Sequence, residues 1–512
     1  MANLAEGPYE PTWDSTDRHN ATLEWFLDVN FGVYWHWGAF TTPQYGSEWF
    51  ITGGKELQGN DVQFNPVLAS EGGEFDPAAW MRVIKASDAR FAGPVAEHHD
   101  GFSMWDSEVN EWNSVDLGPK IDLVKLLADL VPENDMKLVI AMHQAFNVNG
   151  FFAHAPQQDD PSLGTLLGQV PAKRATRARG IAKATATIAP LDMDVLTTYK
   201  PLVDGFHDTS AVADWERGGP AELTRPCWLT DEAISATSWS YTEGISYYSI
   251  PSMLHSLLDR VSKNGNMLLN ISPTTVGVIP QEQEDVLRAI GDYLGRYGKS
   301  VYGTPAWNIY GEGPNMAGGG SFTAPLVGNS SVIRFTRNKE NNVLYAAGLG
   351  WPEDRKVSIQ NLGSDALVSL ESLQSVQLLG DDASQQANAE WEQTDEALDI
   401  TFPEQPAESW AYALKLTFDQ RIPVPQPKEG ASIFSGSEAQ GEGVTLGLGD
   451  FKRIFMTEAG LAPKKIRSIR VSPGSKGTLC ANWDLKGAST ELGAGEHRVE
   501  ACSVGSIRIE NV

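Results

Sequence analysis

The sequence predicts an α/β protein: a TIM-like (β/α) barrel in residues 1–305, followed by two β-rich modules. Strand-like and helix-like segments alternate through the first three hundred residues, and repeated βα units of this kind imply a parallel sheet. The chain has 512 residues, which is too many for one hydrophobic core, so several domains are expected.

The barrel elements follow from hydrophobic periodicity. Helical segments carry apolar residues on one face, and Pro before a helix or Gly after it marks a boundary. The predicted strands are Phe31–Trp35, Phe91–Ala96, Lys137–Met142 and Met267–Ser272, and the predicted helices are Ala79–Lys85, Asp122–Val131, Ile250–Val261 and a segment between Pro280 and Gly298.

Histidines follow three of these strands directly. His36 comes after the first strand, His98 and His99 after the second, and His143 after the third, although the chain contains only nine His. In a (β/α) barrel the chemistry lies at the carboxyl ends of the strands. The four imidazoles are therefore predicted to share one pocket.

Two kinds of site would use such a ring of imidazoles. One is a transition-metal site, with His98, His99 and His143 as ligands of a metal-dependent barrel hydrolase. The other is a sugar pocket, where imidazoles bind hydroxyls, Trp forms an apolar wall and two carboxylates act on the glycosidic bond. Barrel metallohydrolases usually begin with two His one residue apart, and His36-Trp37-Gly38 does not match, so the sugar pocket is favoured.

Four long motifs resemble the α-L-fucosidases of glycoside hydrolase family 29. They are FGVYWHWG with GSEWF, HHDGFSMWDSEVNEWNSVD, SWSYTEG, and LLDRVSKNGNMLLNISPTTVGVIPQEQ, and they occur in the family's order over roughly residues 20–305. The resemblance implies a barrel followed by a β-sandwich, predicted here at residues 306–420. It also implies hydrolysis of fucosylated glycans with retention, through a covalent fucosyl-enzyme ester, without a cofactor or metal.

The resemblance carries residue roles onto matching positions. His36, His98 and His99 would bind the fucose hydroxyls, and Glu48 with Trp49 would close one side of the pocket. His143 and Trp239 are predicted to bind the sugar as well, although their flanking residues match the family less closely.

The general acid/base is expected at the carboxylate of a D-[FY]-E-R-G pattern. Here that pattern is Asp214-Trp215-Glu216-Arg217-Gly218, so Glu216 is the predicted catalytic residue. Glu97 stands where the family commonly has Lys, which leaves the role of that side chain open.

The nucleophile is the main departure from the family. A retaining enzyme needs a second carboxylate ~5–5.5 Å from the acid/base, in a Tyr-x-Pro-Asp-x-x-Trp-Phe-Asp type of motif. Between Pro171 and Asp192 the chain has no acid, Trp or Phe, and an Ala/Arg/Thr-rich segment is predicted there as one polar helix. The barrel is therefore predicted to lack one strand together with its nucleophile.

Four aspartates lie near the position where the nucleophile is expected. Asp192 and Asp194 precede a strand-like segment and would lie at its amino end, whereas Asp204 and Asp208 follow it and are possible substitutes.

The last module, residues 428–512, follows a short stiff linker at Ile422–Lys428. Leu446–Asp450 and Ser468–Val471 recur as Leu492–Glu496 and Ser506–Ile509. Two such units with Gly at turn positions resemble paired βγ-crystallin-type Greek-key motifs. Since Lys464, Lys465 and Cys502-Ser503 lie where calcium-binding members have paired Asp or Asn, no calcium site is predicted.

Composition limits the partners and the compartment. A formal charge of −27 argues against nucleic acid and anionic membranes, because those partners require a basic face. No run of ~18 apolar residues is present, and the first twenty residues show no secretory signal, so a cytoplasmic protein is expected. A secreted, lysosomal or vacuolar protein is the alternative if the amino terminus is incomplete, and the oligomeric state is left open.

Three functional hypotheses follow. The first is a working exo-α-L-fucosidase in which another carboxylate replaces the expected nucleophile. The second is a fucose-binding pseudoenzyme, and the third, ranked below both, is the metal-dependent hydrolase.

Overall fold

A computed structural model describes residues 24–48, 64–108, 112–143, 198–199, 212–366, 368–380, 387–402, 410–483, 485–500 and 504–512. The first part is a parallel sheet with helices on its outer side. Its elements are α1 (Glu24–Val29), β1 (Phe31–Trp35), α2 (Pro77–Ala86), β2 (Phe91–Glu97), α3 (Leu123–Glu133), β3 (Lys137–Leu138), β4 (Ala141–Met142), β5 (Thr198–Tyr199), β6 (Val212–Glu216), β7 (Trp228–Ala233), α4 (Ile250–Ser262), β8 (Gly265–Ile271) and α5 (Gln281–Tyr297). No helix among these residues is both long and apolar enough to cross a bilayer.

The strands lie in the order β3-β2-β1-β8-β7-β6-β5, and β4 also pairs with β2. All these pairs are parallel, as the predicted TIM-like barrel requires. The two ends of the sheet, β3/β4 and β5, flank residues 144–197, which lie outside the described residues. The predicted polar helix and the predicted loss of a strand fall in that stretch and stay predictions.

One predicted strand is wrong as a continuous element. Lys137–Met142 is divided into β3 and β4, with Val139 and Ile140 between them. The register with β2 places Ile140 opposite Pro94, which has no N–H to donate to the neighbouring strand. The regular ladder is therefore interrupted at that point.

Side chains on the barrel strands alternate between two cores. Tyr34, Leu229 and Leu268 point into the barrel, whereas Trp35 and Leu269 point outward and belong to the core beneath the helices. This period of two fixes the direction of every residue near a strand end. His36, Glu97, Glu216 and Asn270 share the inward direction and lie at the carboxyl ends of their strands.

Two antiparallel sheets follow the barrel, one with the order β14-β13-β17-β11-β10-β9 and one with the order β12-β16-β15. Their strands are β9 (Ala306–Glu312), β10 (Ile333–Arg337), β11 (Val343–Gly348), β12 (Lys356–Ile359), β13 (Leu373–Leu378), β14 (Ala387–Asn388), β15 (Glu390–Gln393), β16 (Leu398–Thr401) and β17 (Tyr412–Phe418). The hydrophobic core of these sheets is continuous with the helix layer of the barrel.

A buried ion cluster joins α4 to β10. Asp259 contacts Arg334 at 2.8 Å, Lys263 at 3.0 Å and Arg260 at 3.3 Å, and all four side chains are almost completely buried. Burial alone would raise the pKa of Asp259, but the three cations outweigh it and lower the pKa. The cluster couples the barrel to the first β module, because removing Asp259 would leave three buried cations without their carboxylate.

The last module consists of β18 (Ala431–Phe434), β19 (Gly443–Leu446), β20 (Gly449–Phe451), α6 (Arg453–Glu458), β21 (Ser468–Val471), β22 (Ser475–Cys480), β23 (Ser489–Leu492), β24 (Gly495–Arg498) and β25 (Ser506–Asn511). Its sheets have the orders β19-β18-β21-β24 and β20-β25-β22-β23. Each sheet thus contains three strands of one predicted repeat and the third strand of the other, so the repeats form an interlocked pair of Greek-key units.

Equivalent serines hold the two units. Ser468 Oγ donates to Gly436 O at 2.7 Å and accepts from Ala439 N. Ser506 Oγ donates to Asn482 O at 2.6 Å and accepts from Leu485 N. The recurring Ser of the sequence repeat therefore fixes the hairpin of each unit.

The segment Ile422–Lys428, which was predicted as a short stiff linker, forms hydrogen bonds with both β modules. Gln426 N donates to Ala366 O of the first β module, and Gln426 Nε2 donates to Ser472 Oγ of the last. Pro425 O accepts from the hydroxyls of Ser432 and Thr445. These bonds pack the segment between the two modules.

Gly32→Ala tests the packing of the barrel interior. A β-carbon on Gly32 would lie 2.5 Å from the ring of Phe91, its partner in the β1–β2 register. We expect a loss of about 1–3 kcal/mol, as for overpacked cores, measured by urea unfolding. The matched control is Gly295→Ala in α5, where a β-carbon meets no heavy atom within 4 Å and a gain of about 0.5–1 kcal/mol is expected. A loss at position 295 equal to that at position 32 would contradict the packing argument.

Glu232→Gln tests a buried carboxyl on the outer side of β7. Burial raises the pKa of Glu232 from 4.5 to about 7, against the opposing effect of Arg260 and Arg217 and with the support of Asp231. Between these pH values the folded chain holds a proton that the unfolded chain has lost, so stability falls as pH rises through this window. In Glu232→Gln that part of the fall should disappear. The measurement is the urea unfolding midpoint of the parent chain and of Glu232→Gln at several pH values between about 4.5 and about 7. Equal pH dependence in the two chains would contradict a raised pKa of Glu232.

Candidate active site

The site is organised by one hydrogen-bonded pair at the carboxyl ends of β1 and β8. Asn270 Oδ1 accepts from the backbone N–H of His36 at 3.0 Å and from Nδ1 of the same residue at 2.7 Å. An amide oxygen only accepts, so Nδ1 of His36 carries its proton and, in the neutral ring, the lone pair is on Nε2. The amide Nδ2 of Asn270 donates to Trp239 O at 2.7 Å, which ties the loop after β7 to the same point.

The four predicted histidines come together, as the strand-end rule predicted. The ring centroids of His36 and His98 are 5.5 Å apart, those of His98 and His143 are 4.6 Å apart, and the rings of His99 and His143 stack at 5.1 Å. Burial and the neighbouring imidazoles lower the pKa of His98 well below its usual value. His98 is therefore neutral near pH 7.

Trp239 forms one wall of the site. Its ring centroid lies 5.4 Å from that of His36, and the Arg217 guanidinium lies 4.4 Å above its ring. Glu48 Oε2 accepts from Trp239 N and from Ser238 Oγ, both at 3.0 Å. The wall is thus held by the carboxyl of Glu48, from the loop after β1, and by the amide of Asn270, from β8. Trp49, the predicted neighbour of Glu48, lies outside the described residues.

Three carboxylates of β6 and β7 approach the barrel interior around Tyr34. Glu216 is paired in register with Asp231, and Asp214 lies two residues before Glu216 on the same face. Tyr34 donates to Asp231 Oδ2 at 3.4 Å. Burial, Asp231, Asp214 and Glu216 raise the pKa of Tyr34, and Arg217 opposes them. Since the Tyr34 ring lies 5.3 Å from His36, the acids and the imidazoles belong to one site.

The turn after Glu216 is fixed from outside the barrel. Glu216 O accepts from Phe322 N at 2.7 Å and Arg217 O accepts from Thr323 N at 2.8 Å. Arg217 has a φ of 49°, and a β-carbon on Gly218 would lie 2.0 Å from Gly320 O. The Arg-Gly pair of the motif therefore permits the 320s loop to dock against the strand end.

Two further acids lie at the end of β2 and in the loop that follows it. Glu97 Oε2 accepts from Ser103 Oγ at 3.0 Å, so this side chain is held by its own loop. Burial raises the pKa of Asp100 to about 7, although the backbone N–H of Phe102 donates to it at 2.9 Å and opposes the shift. The site thus combines four imidazoles, an aromatic wall and several carboxyl groups, which is the composition of a sugar-binding catalytic pocket.

Comparison with known proteins decides the family. Residues 1–211 and 202–299 match the family model Alpha-L-fucosidase, and residues 329–417 match the Alpha-L-fucosidase C-terminal domain. The chain belongs to the α-L-fucosidase family, glycoside hydrolase family 29. It is 27% identical to a plasma alpha-L-fucosidase of Rattus norvegicus over 419 residues, covering 70% of this chain and 83% of that one. It is 25% identical to a tissue alpha-L-fucosidase of the same organism over 480 residues, covering 81% and 94%.

Solved fucosidase structures share the fold. An α-fucosidase of Thermotoga maritima in complex with fucose superposes with a TM-score of 0.61 at 20% identity, covering 80% of this chain and 100% of that one. A fucosidase of Bacteroides thetaiotaomicron, trapped as a covalent intermediate, gives 0.59 at 16% identity, covering 78% and 98%. These neighbours carry a TIM-like barrel followed by a β domain, in agreement with the predicted fold class.

The structure adds residues to those predicted from the fucosidase motifs. His36, Glu48, His98, His99, His143, Glu216 and Trp239 all lie at this end of the barrel. Tyr34, Asp231 and Asn270 were missed. Tyr34 and Asn270 lie on predicted strands and in quoted motifs, whereas Asp231 lies on β7, which was not predicted as a strand. The signal that could have identified them is the alternation of side chains along a strand, which turns every second residue near the strand end toward the barrel interior. Asp192, Asp194, Asp204 and Asp208 lie outside the described residues.

Asn270→Ala tests the central hydrogen bonds of this fucosidase site. Loss of the acceptor for His36 should weaken L-fucose binding by about 1–3 kcal/mol, which is about 5- to 150-fold in Kd, by calorimetry. The matched control is Asn266→Ala on the same strand, whose Nδ2 donates to Phe26 O at the far end of β8. It should lower stability but leave the affinity of the folded protein unchanged. Equal losses of affinity in both variants would refute the role given to Asn270.

Proposed function

We propose that this chain releases terminal α-L-fucose from glycoconjugates or oligosaccharides with retention of configuration, and that Glu216 is its general acid/base. The observation that carries the proposal is that Glu216 and four imidazoles, three of them buried and that of His143 half-buried, lie at the carboxyl end of one barrel. Membership of the family supports the reaction, and the relatives named as alpha-L-fucosidases support the substrate class.

The imidazoles would bind the hydroxyls of the sugar. Nε2 of His36 carries a lone pair and is suited to accept a hydroxyl proton, because Asn270 holds the proton on Nδ1. Neutral His98 can both donate and accept, and the ring of His99 lies beside it. Trp239 would pack against the apolar face of the ring, as aromatic side chains do in carbohydrate pockets.

Glu216 is suited to proton transfer by its position. It ends β6 on the inward face, and the 320s loop fixes its backbone. A general acid must keep its orientation toward the leaving oxygen while the glycosidic bond breaks. The docked turn supplies that rigidity.

The second carboxylate, which would act as the nucleophile, has two sets of candidates. Asp231 is the register partner of Glu216, and adjacent strands lie about 4.8 Å apart, close to the ~5–5.5 Å between carboxyl groups of a retaining pair. Asp204 and Asp208 are the other candidates and lie outside the described residues. Covalent trapping of the Bacteroides thetaiotaomicron relative supports the double-displacement route.

Glu216→Gln should lower kcat on an aryl α-L-fucoside by about 10²–10⁴-fold, the usual contribution of a general acid/base. Proton NMR of the parent reaction should show α-L-fucose as the first product. The control is Glu222→Gln, an exposed Glu six residues further along whose charge acts on Lys263 and Tyr310 instead of the pocket. It should keep the parent rate. Full activity in Glu216→Gln would remove this residue from the mechanism.

A second function is a fucose-binding protein without turnover. The acid-free stretch between Pro171 and Asp192 favours it, and the family match is split into two segments that meet at residues 202–211. Calorimetry with L-fucose separates this function from loss of the pocket. Azide or formate added to the parent chain separates a working enzyme from a chain that lacks only its nucleophile. Small anions can replace a missing carboxylate nucleophile where the other catalytic residues are intact, so activity that appears only with the anion indicates a missing nucleophile.

A further inference from the structure

Three of the four imidazoles meet in an arrangement that differs from the metal set suggested by the sequence. One ring nitrogen from each of His36, His98 and His143 lies within 4.8 Å of the others. His99, which the sequence had grouped with His98 and His143, is replaced by His36. The three residues end β1, β2 and β4, so the parallel sheet itself brings them together.

The orientation of His36 suits a metal ligand. The proton on Nδ1 is committed to Asn270 Oδ1 at 2.7 Å, which leaves the lone pair of the neutral ring on Nε2. A histidine that ligates a metal almost always donates its other ring nitrogen to an oxygen acceptor. Asn270 is in turn held by Trp239 O, so the acceptor is itself fixed.

The surroundings favour a cation over an anion. Glu97 immediately precedes His98, its carbonyl accepts from His143 N at 2.9 Å, and Asp100 is buried two residues further on. His36 and His98 are buried and His143 is half-buried, so an ion could enter from the His143 side. Imidazole nitrogens near carboxylates bind Zn²⁺ and Cu²⁺ in preference to Ca²⁺ or Mg²⁺.

We propose that His36, His98 and His143 bind one divalent transition-metal ion of the Zn²⁺ class, and that this ion excludes the sugar. Bonds of about 2.0–2.1 Å to zinc require the three nitrogens to approach more closely than 4.8 Å, which imidazole rotation at the half-buried His143 can supply. The metal would occupy the positions of the sugar hydroxyls and act as a competitive inhibitor. The metal site rests on the geometry, whereas competition with L-fucose rests on the proposed function.

Calorimetry of the full chain with ZnCl₂ tests the site. We expect one ion per chain, loss of saturable binding in His143→Ala, and displacement by excess L-fucose. Co²⁺ as a visible-absorption probe should show bands of nitrogen-ligated cobalt that Zn²⁺ abolishes. His497→Ala, which changes a histidine of the last module that contacts Gly493 O, should bind Zn²⁺ as the parent does.

Asn270 variants test the orientation of His36. Asn270→Ala should weaken Zn²⁺ binding about 10- to 100-fold, as loss of an outer hydrogen-bond partner does, whereas Asn270→Asp keeps the acceptor and should retain the affinity. Circular dichroism confirms folding of each variant. Absent Zn²⁺ binding, or binding that survives in His143→Ala, would overturn the proposal. L-Fucose binding without Zn²⁺ binding would overturn the metal site and leave the proposed function standing. Zn²⁺ binding without L-fucose binding would leave the metal site standing, and it would overturn the competition and the proposed function.

Discussion

The hydrogen bonds between Asn270 and His36 hold the rest of the site together. Asn270 Oδ1 binds two N–H groups of His36, and Nδ2 binds the carbonyl of Trp239. The contact exists because β1 and β8 are parallel neighbours whose inward residues share one end of the barrel. It fixes the tautomer of one imidazole and the position of the aromatic wall at the same time. A one-residue slip of either strand would turn its own side chain away from the pocket and break this contact.

The carboxyl end of the barrel strands also depends on the module behind it. Glu216 and Arg217 accept backbone hydrogen bonds from Phe322 and Thr323, which lie in the connection between β9 and β10. On the outer layer, Asp259 of α4 binds Arg334 of β10. The first β module therefore supports the barrel at two places, one beside the acid and one beneath the helix layer. Its removal would expose a charged cluster and release the turn that orients Glu216.

Much of this arrangement could be predicted from the sequence. Periodicity placed α2, α4, α5 and the strands β1, β2 and β8 within two residues, since their apolar patterns are strong and α2 and α4 begin after the capping residues Asp76 and Ser249. The strand-end rule identified the four histidines. It failed to find Asn270 and Asp231, because a polar residue inside an apolar strand carries no sign of its direction until the register is known. The strand at Lys137–Met142 was also overextended, since only its pairing opposite Pro94 interrupts it.

The sequence by itself determined the family, the alternation of strands and helices, and the types of side chain at the strand ends. These properties are local, because they follow from spacing and from motifs that are contiguous in the chain. Only the tertiary structure decided which imidazoles face one another, which carboxylates lie beside Glu216, and which tautomer His36 adopts. Those properties depend on contacts between different strands, in the case of His36 and Asn270 more than two hundred positions apart, and no local pattern specifies the register that creates them.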